Sequence, residues 1–363
     1  MHLINCVTMK MEEFIGREIP TYAILSHTWE DDEISYQNFL TLSEREWENP
    51  RGRACLKIRK TCLISLKYKC RYVWIDTCCI DKTNGPELSE AINSMFKWYR
   101  NSEVCFVYLN DYYKKSGLGL DSLVPCRWFT RGWTLQELIA PRNLSFFDNQ
   151  FEYFGNRSSL SALIEEASRI PLDVYNDVDD LPFRTIASTM SFAAKRETTR
   201  AEDMAYCLMG LFNVNMPLLY GEGGERAFRR LQEEIIKERN DLSIFAWGLG
   251  LRRTYDCDLF ARSPNDFVNA KDIETTTLGR PVFSMTNKGL KIKIELYYDK
   301  IHRRKYVLLG CKENDILHLA MELDPIGDQY VRDGLFTIEL MGMDSGTTQT
   351  LYIARSFSHA RFA

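Results

Sequence analysis

Through the first 150 residues, short unbroken apolar runs alternate with longer segments whose apolar positions recur every three to four residues. Tyr22 to Ser26, Tyr72 to Asp76, Val104 to Leu109 and Asn143 to Asp148 have the length and composition of buried strands. Between them, Arg53 to Lys69 reads as a helix with apolar positions Leu56, Ile58, Cys62, Leu63 and Leu66. A second helix opens at Asn84-Gly85-Pro86-Glu87, with Leu88, Ala91, Ile92, Met95, Phe96 and Tyr99 along one face. A shorter one lies in Arg131 to Pro141, where Leu135, Leu138 and Ile139 form a core stripe and Thr130, Trp133 and Glu137 share another face. Strands alternating with amphipathic helices predict an α/β domain over residues 1–155, built on a parallel sheet flanked by helices.

The rhythm changes twice more. Over 156–240 it is helical, in Leu160 to Arg169, Phe183 to Lys195, Ala201 to Phe212 and Glu225 to Arg239, separated by Pro171, Pro182 and Pro217. Over 241–363, Ser243 to Trp247, Leu290 to Leu296, Lys305 to Cys311, Ile316 to Glu322, Leu335 to Leu340 and Thr350 to Arg355 read as strands of a β-rich accessory domain. Gly221-Glu222-Gly223-Gly224 precedes a helix but lacks the Lys-Ser/Thr of a phosphate loop, so it reads as a helix entry.

With 363 residues, 45% hydrophobic and 26% charged, the chain can bury a sizeable core. A net charge of −4 without any block of Lys and Arg argues against a nucleic-acid partner. No leader pattern and no apolar run near ~18 residues is found, which argues against a membrane span and for a cytoplasmic protein. Eleven cysteines, an odd number spread over a long chain with no Cys-x-x-Cys, read as reduced thiols. The five histidines are scattered without ligand spacing, so no metal is expected.

In an open parallel sheet, ligands bind beyond the carboxyl ends of the strands. Here those exits are polar: Ser26-His27-Thr28-Trp29 after the first strand, Asp76-Thr77-Cys78-Cys79-Ile80-Asp81 after the second, Asn110-Asp111 after the third. With the helix of Glu137 packed nearby, they would surround one cleft. Each residue also has a plainer use: Asp76 as a turn acceptor, the cysteines as packing, His27 as a structural donor, the tryptophans as core, and Glu137 as a solvated helix face.

The segments YAILSHTW (Tyr22 to Trp29), YVWIDTCCIDK (Tyr72 to Lys82) with ELSEAINSMFKWY (Glu87 to Tyr99), and RGWTLQELIAP (Arg131 to Pro141) resemble the fungal heterokaryon incompatibility (HET) domain. The region from Ala201 to Trp247 resembles a segment that accompanies this domain in one fungal subgroup. The resemblance implies a cell-death effector of nonself recognition, acting by self-association, alone or with a nucleotide-binding oligomerisation receptor in trans or in a longer chain. HET domains are in turn similar to TIR domains, which implies a flavodoxin-like sheet and cleavage of NAD, as substrate rather than cofactor. Trp133-Thr134-Leu135-Gln136-Glu137-Leu138 aligns with the TIR stretch Trp-Cys-x-x-Glu-Leu that carries the catalytic glutamate. Thr134 stands where that pattern has Cys, and His27-Thr28-Trp29 replaces the TIR-like Arg-Gly after the serine.

The resemblance thus makes Glu137 the catalytic candidate, with Ser26, His27, Trp29, Asp76, Cys79, Asp81 and Trp133 lining the substrate. Nicotinamide leaves ribose as a neutral molecule, so one anion stabilising an oxocarbenium-like centre suffices. Two alternatives stay open: a non-enzymatic adaptor that self-assembles, and a thiol hydrolase using Cys78 or Cys79 with His27.

Overall fold

A computed structural model describes residues 1–48, 50–114, 123–176, 178–250, 258–276, 281–300, 302–314, 316–338 and 346–356. The chain divides into two compact units, Met1–Val178 with Arg196–Thr198, and Asp179–Lys195 with Thr199–Ala363. The helical stretch 156–240 is therefore shared between the two.

In unit 1, β3 (Tyr22–His27), β4 (Tyr72–Ile75), β5 (Val104–Tyr108) and β6 (Leu144–Phe147) pair in parallel. All but Tyr72 are buried along their length, as expected of strands covered on both faces. The hairpin of β1 (His2–Asn5) and β2 (Lys10–Glu13) and the strand β7 (Tyr153–Asn156) add antiparallel edges, giving the order β2-β1-β4-β3-β5-β6-β7. The sheet is thus mixed, with a parallel centre. The three edge strands have four residues each, too short for a clear alternation in the sequence.

The helices of unit 1 are α1 (Tyr36–Thr41), α2 (Glu44–Glu48), α3 (Arg53–Lys67), α4 (Gly85–Asn101), α5 (Thr134–Ile139), α6 (Ser161–Ser168) and α7 (Asp173–Asn176). Asn84 caps α4 by accepting from the Glu87 amide, and Pro86 occupies its first turn. From β3 the chain moves one way through α3 to β4, then back past β3 through α4 to β5. The near-universal right hand of such crossovers puts α3 and α4 on opposite faces of the sheet. The strand order therefore reverses at the neighbours β3 and β5, whose carboxyl ends hold Ser26 and His27 on one side and Tyr108 on the other.

The phase of α3 departs from the sequence expectation. Leu56, Leu63 and Leu66 are exposed, whereas Lys57, Thr61 and Ser65 are buried beside Ile58 and Cys62. The polar members are satisfied: Thr61 donates to the Lys57 carbonyl at 2.8 Å, Ser65 to the Cys70 carbonyl at 3.0 Å, and the Lys57 ammonium reaches His27 at 3.0 Å. A buried polar group that keeps its hydrogen bond costs little, which lets this face turn inward. The helix α5 is buried at all six positions, so the solvated-face reading of Glu137 does not hold.

Unit 2 holds α8 (Ile186–Ser191), α9 (Asp203–Tyr206), α10 (Met209–Phe212) and α11 (Gly224–Glu238), then β8 (Glu274–Thr275), β9 (Phe283–Thr286), β10 (Gly289–Asp299), β11 (Arg304–Lys312), β12 (His318–Ile326), β13 (Gln329–Ile338) and β14 (Thr347–Ile353). Pairing of β10 with β11 as well as β14 closes β10 to β14 into a five-stranded barrel, with β8 and β9 at its margins. Of the strand expected from Leu335 to Leu340, residues 335–338 belong to β13 and the last two lie outside the described residues. Ser243 to Trp247 is not a strand: Leu242–Phe245 is a 3-10 turn, because the Asp241 carboxylate accepts from the amides of Ser243 and Ile186. Ala201 to Phe212 is two short helices rather than one. The glycine cluster enters α11 as expected, and the amides of Gly221 and Gly223 donate to the Glu202 carboxylate at 2.9 and 3.1 Å, so this nest is filled from within the chain.

The phase of α3 sets opposite expectations for adjacent faces. In urea denaturation, Ile58→Ala should lower stability by ~2–4 kcal/mol, whereas Leu63→Ser should change it by less than ~1 kcal/mol.

Candidate functional site

Ser26 and His27 are the last two residues of β3, and the backbone alternation sends their side chains to opposite faces of the sheet. Each anchors a separate hydrogen-bonded group. On one side, the Ser26 hydroxyl donates to Glu137 Oε2 at 2.5 Å while accepting from the Trp128 indole N–H at 2.7 Å. The Tyr99 hydroxyl donates to the Leu25 carbonyl at 3.3 Å. Ser26 is fully buried, and Glu137 is only 5% exposed.

On the other side, His27 Nε2 lies 3.0 Å from Asp76 Oδ1, and its Nδ1 lies 3.0 Å from Lys57 Nζ and 3.5 Å from Glu33 Oε1. Lys57 and Glu33 form a nearly buried ion pair. The second oxygen of Asp76 accepts from the Trp29 indole at 2.7 Å. The Trp29 ring is half exposed, and the Lys82 ammonium stands 3.7 Å from its centre. The loop carrying Trp29 is tied down by Arg127, which donates to the Trp29 carbonyl at 2.6 Å, and by Asn110, which donates to Glu30 at 3.1 Å and accepts from Thr28 at 3.2 Å.

Electrostatics distinguish the two carboxyls. Burial, followed by repulsion from Asp76, pushes the Glu137 carboxyl up to about 8, against the pull of its bond from Ser26, the charge of His27 and the Tyr99 hydroxyl. For Asp76, burial acts upward, but the bonds and charges of His27, Lys82 and Trp29 prevail and hold it below the usual carboxylate range. Burial and the Lys57 charge act to lower His27, yet its bonds to Asp76 and Glu33 raise it overall. Despite burial, Glu33 falls to about 2 through His27 and Lys57. At neutral pH the site therefore holds one protonated acid, Glu137, beside one ionised acid, Asp76.

The remaining sequence candidates have other duties. Asp81 accepts from the amide and hydroxyl of Thr83 at 2.9 and 2.6 Å and from Gln37 at 2.5 Å, which shapes the turn before α4. Cys79 is buried and its sulfur accepts from the Ile75 amide at 3.3 Å. Trp133 is half-buried immediately before α5. Of the third strand exit, Asp111 accepts from the Arg127 amide at 2.7 Å. Burial pushes the Cys78 thiol well up, and the ring nitrogens of His27 are engaged by Asp76, Lys57 and Glu33. That combination removes the basis for thiolate chemistry.

Sequence reasoning missed Trp128, Tyr99, Lys57 and Glu33. Tyr99 was assigned to a packing face, and only its hydroxyl distinguishes it there. Lys57 had a signal, a lone cation between Cys55 and Ile58, but it was outweighed by the leucines of the opposite face.

Among the described residues, Glu322, Asp324 and Asp333 of the barrel come within 4.8 Å of one another, and Glu322 pairs with Arg304 at 3.2 Å. No helix there is long and apolar enough to cross a membrane. All ten described cysteines are buried.

Residues 22–124 match the heterokaryon incompatibility protein (HET) family, so the chain carries a HET domain; Glu137 lies beyond the matched residues. Residues 226–257 match a domain of unknown function (DUF8212). The vegetative incompatibility protein HET-E-1 of Podospora anserina is 43% identical over 234 residues, 61% of this chain. The chain spans 16% of that relative's length. No solved structure matches the chain.

A carboxyl whose pKa is raised on folding binds its proton more tightly in the folded state. It contributes stability fully below its unfolded value near 4.5 and loses that contribution as pH rises through about 8. Glu137→Gln, which mimics the protonated acid, should therefore melt close to wild type at pH 5 and above it at pH 9. The advantage should grow by ~2–4 kcal/mol between the two in thermal unfolding.

Proposed function

We propose that this HET domain is an effector of fungal nonself recognition that brings about cell death by breaking the nicotinamide–ribose bond of NAD, and that it acts in the cytoplasm once copies cluster. The observation that carries the reading is the buried Glu137 carboxyl, bonded to Ser26 at the carboxyl edge of a parallel sheet and near enough to the ionised Asp76 to feel its charge. Further support comes from the strand order β4-β3-β5-β6, which matches the first four strands of a flavodoxin-like sheet. It also comes from the likeness of Trp133 to Leu138 to the TIR motif, and from the similarity to a vegetative incompatibility protein.

The chemistry follows from the charges. At rest Glu137 holds a proton. The nicotinamide ring of NAD is a cation, and bringing it against the carboxyl favours the carboxylate, releasing that proton to water. The bond between ribose C1′ and the ring nitrogen then breaks with its electron pair going to nicotinamide, which leaves neutral. The Glu137 anion stabilises the ribosyl cation until water adds to C1′ and loses a proton, leaving ADP-ribose. The exposed face of Trp29, fixed by Asp76 and Arg127, is suited to stacking on the nicotinamide or its ribose, and Asp76 to holding a ribose hydroxyl. A monomer that hydrolysed NAD freely would kill its host, so activity should require clustering, by self-association or by a nucleotide-binding oligomerisation receptor.

The alternative, an adaptor that assembles without catalysis, is favoured by Leu56, Leu63 and Leu66, which α3 turns to solvent. Incubating NAD with the protein fused to a forced oligomer separates the two. Wild type should release nicotinamide, and Glu137→Gln should lose at least ~100-fold; equal turnover by both would end the catalytic assignment. kcat/KM should rise with pH to a plateau above about 8, because the free protein must lose the Glu137 proton to act. NADH, whose ring is uncharged, should not be cleaved.

A further inference from the structure

The chain leaves unit 1 after Val178 and passes into unit 2, then returns for only three residues, Arg196–Thr198, before leaving for good. Those three residues meet the segment that launches α5. Glu197 donates its amide to the Thr130 carbonyl at 2.8 Å and accepts at its own carbonyl from the Gly132 amide at 2.8 Å, a parallel bridge opposite Arg131. The guanidinium of Arg196, itself only 5% exposed, donates to the Arg131 carbonyl at 2.8 Å and to the Thr134 hydroxyl at 3.2 Å.

From Thr134 hydrogen bonds lead to the site through the backbone and side chain of Trp128. The Thr134 hydroxyl donates to the Trp128 carbonyl at 2.5 Å, the Trp128 indole donates to Ser26, and Ser26 donates to Glu137. The need for such an anchor is physical. With six residues and no side-chain cap, α5 cannot hold itself in a helix, since nucleation alone is unfavourable over so short a segment. Its far end is fastened comparably by Arg157, which donates to the Leu138 carbonyl at 2.7 Å. Nothing about Arg196 in the sequence marks it: it sits in the polar run Lys195-Arg196-Glu197-Thr198-Thr199-Arg200.

We propose that Arg196 is a positioning residue for Glu137, and that Arg196–Thr198 is a staple that sets the geometry of the site. The staple locks the first turn of α5 and, through Thr134 and Trp128, the hydroxyl of Ser26 against the Glu137 carboxyl. The catalytic part of this role rests on the NAD-cleaving reading; the geometric part does not.

The test compares wild type, Arg196→Met and Arg196→Lys in the full chain, each confirmed folded by its thermal transition, with two readouts. The first needs no activity: amide hydrogen exchange at residues 132–138 and the titration midpoint of the Glu137 carboxyl. Arg196→Met should speed exchange there at least tenfold relative to the β3 and β5 amides and move the Glu137 midpoint, with Arg196→Lys between it and wild type. The second is NAD cleavage under forced clustering: Arg196→Met should lower kcat ~10- to 100-fold with KM changed less than ~3-fold, and Arg196→Lys should recover part of the loss. Unchanged exchange and midpoint in a folded Arg196→Met variant overturn the staple, whatever the activity. Changed exchange and midpoint with no NAD cleavage even by wild type support the staple and defeat the catalytic reading. Should Arg196→Met fail to fold, Thr134→Val, which keeps the side-chain shape and removes the hydroxyl, takes its place under the same criteria.

Discussion

A carboxyl group inside a packed core is tolerated only if it surrenders its charge or finds enough partners to keep it, and Glu137 does some of each. Burial and Asp76 raise it to about 8, while Ser26 supplies the hydrogen bond that keeps the carboxyl from being left unsatisfied. The spread between about 4.5 and about 8 corresponds to roughly 5 kcal/mol of lost stability if the group is forced to ionise. That is a sizeable part of what a domain has to spare. Much of unit 1 can be understood as accommodating this one group: β3 carries its partner near its end, Trp128 is buried where its indole steadies that partner, and the two ends of α5 are held by the buried Arg196 and the half-buried Arg157.

The neighbouring group of charges solves the opposite problem. Asp76 must stay ionised although it is largely shielded from water, and His27, Lys82 and Trp29 accomplish that. His27 in turn is balanced between Lys57 and two carboxylates. Because Ser26 and His27 are consecutive in one strand, the pleat separates the two groups to opposite faces while leaving them close enough for Asp76 and Glu137 to feel each other's charge. One strand end thus keeps a neutral acid and an ionised acid side by side. The same requirement explains the phase of α3: a helix that must bring an ammonium to His27 buries Lys57, Thr61 and Ser65 and leaves three leucines outside.

How much of this was legible in the sequence depended on whether a signal was local. The four central strands and the helices α3, α4 and α11 could be read because apolar periodicity records burial directly. The carboxyl-edge location of Ser26, His27, Asp76 and Glu137 followed from strand and helix alternation, and their convergence from the rule for ligand positions in open sheets. Periodicity failed where polar residues were buried with partners distant in sequence. It placed Ile58 and Cys62 of α3 correctly but put Leu56, Leu63 and Leu66 inward, because Lys57 is paired with residues 24 and 30 positions away and turns the helix. It took Ser243 for strand because Asp241 imposes a turn, and it had nothing to say of Arg196, whose acceptors lie 62 and 65 residues earlier. Asp81 and Cys79 were placed at the right strand exit, but a one-dimensional reading has no means of showing that a carboxylate or thiol is already engaged by its own turn.

The resting protonation of Glu137 bears on the proposed chemistry in a way that a permanently charged glutamate would not. An anion held ready would attract any cation and expose the site to water. A carboxyl that keeps its proton to about 8 becomes an anion only when something in the site compensates it. Oxidised NAD carries that compensation in the ring that is to leave, and the charge passes to the ribose as the bond breaks, so the carboxylate is stabilised by substrate and transition state in succession. Reduced NAD offers no cation and no neutral leaving molecule, and would leave Glu137 protonated. On the proposed chemistry, selectivity for oxidised NAD would arise from the desolvation of one carboxyl rather than from contacts to the ring. The geometry that desolvates it, from Arg196 and Arg157 at the ends of α5 to Trp128 and Ser26 at the strand, would then be as much a part of the proposed reaction as the carboxyl itself.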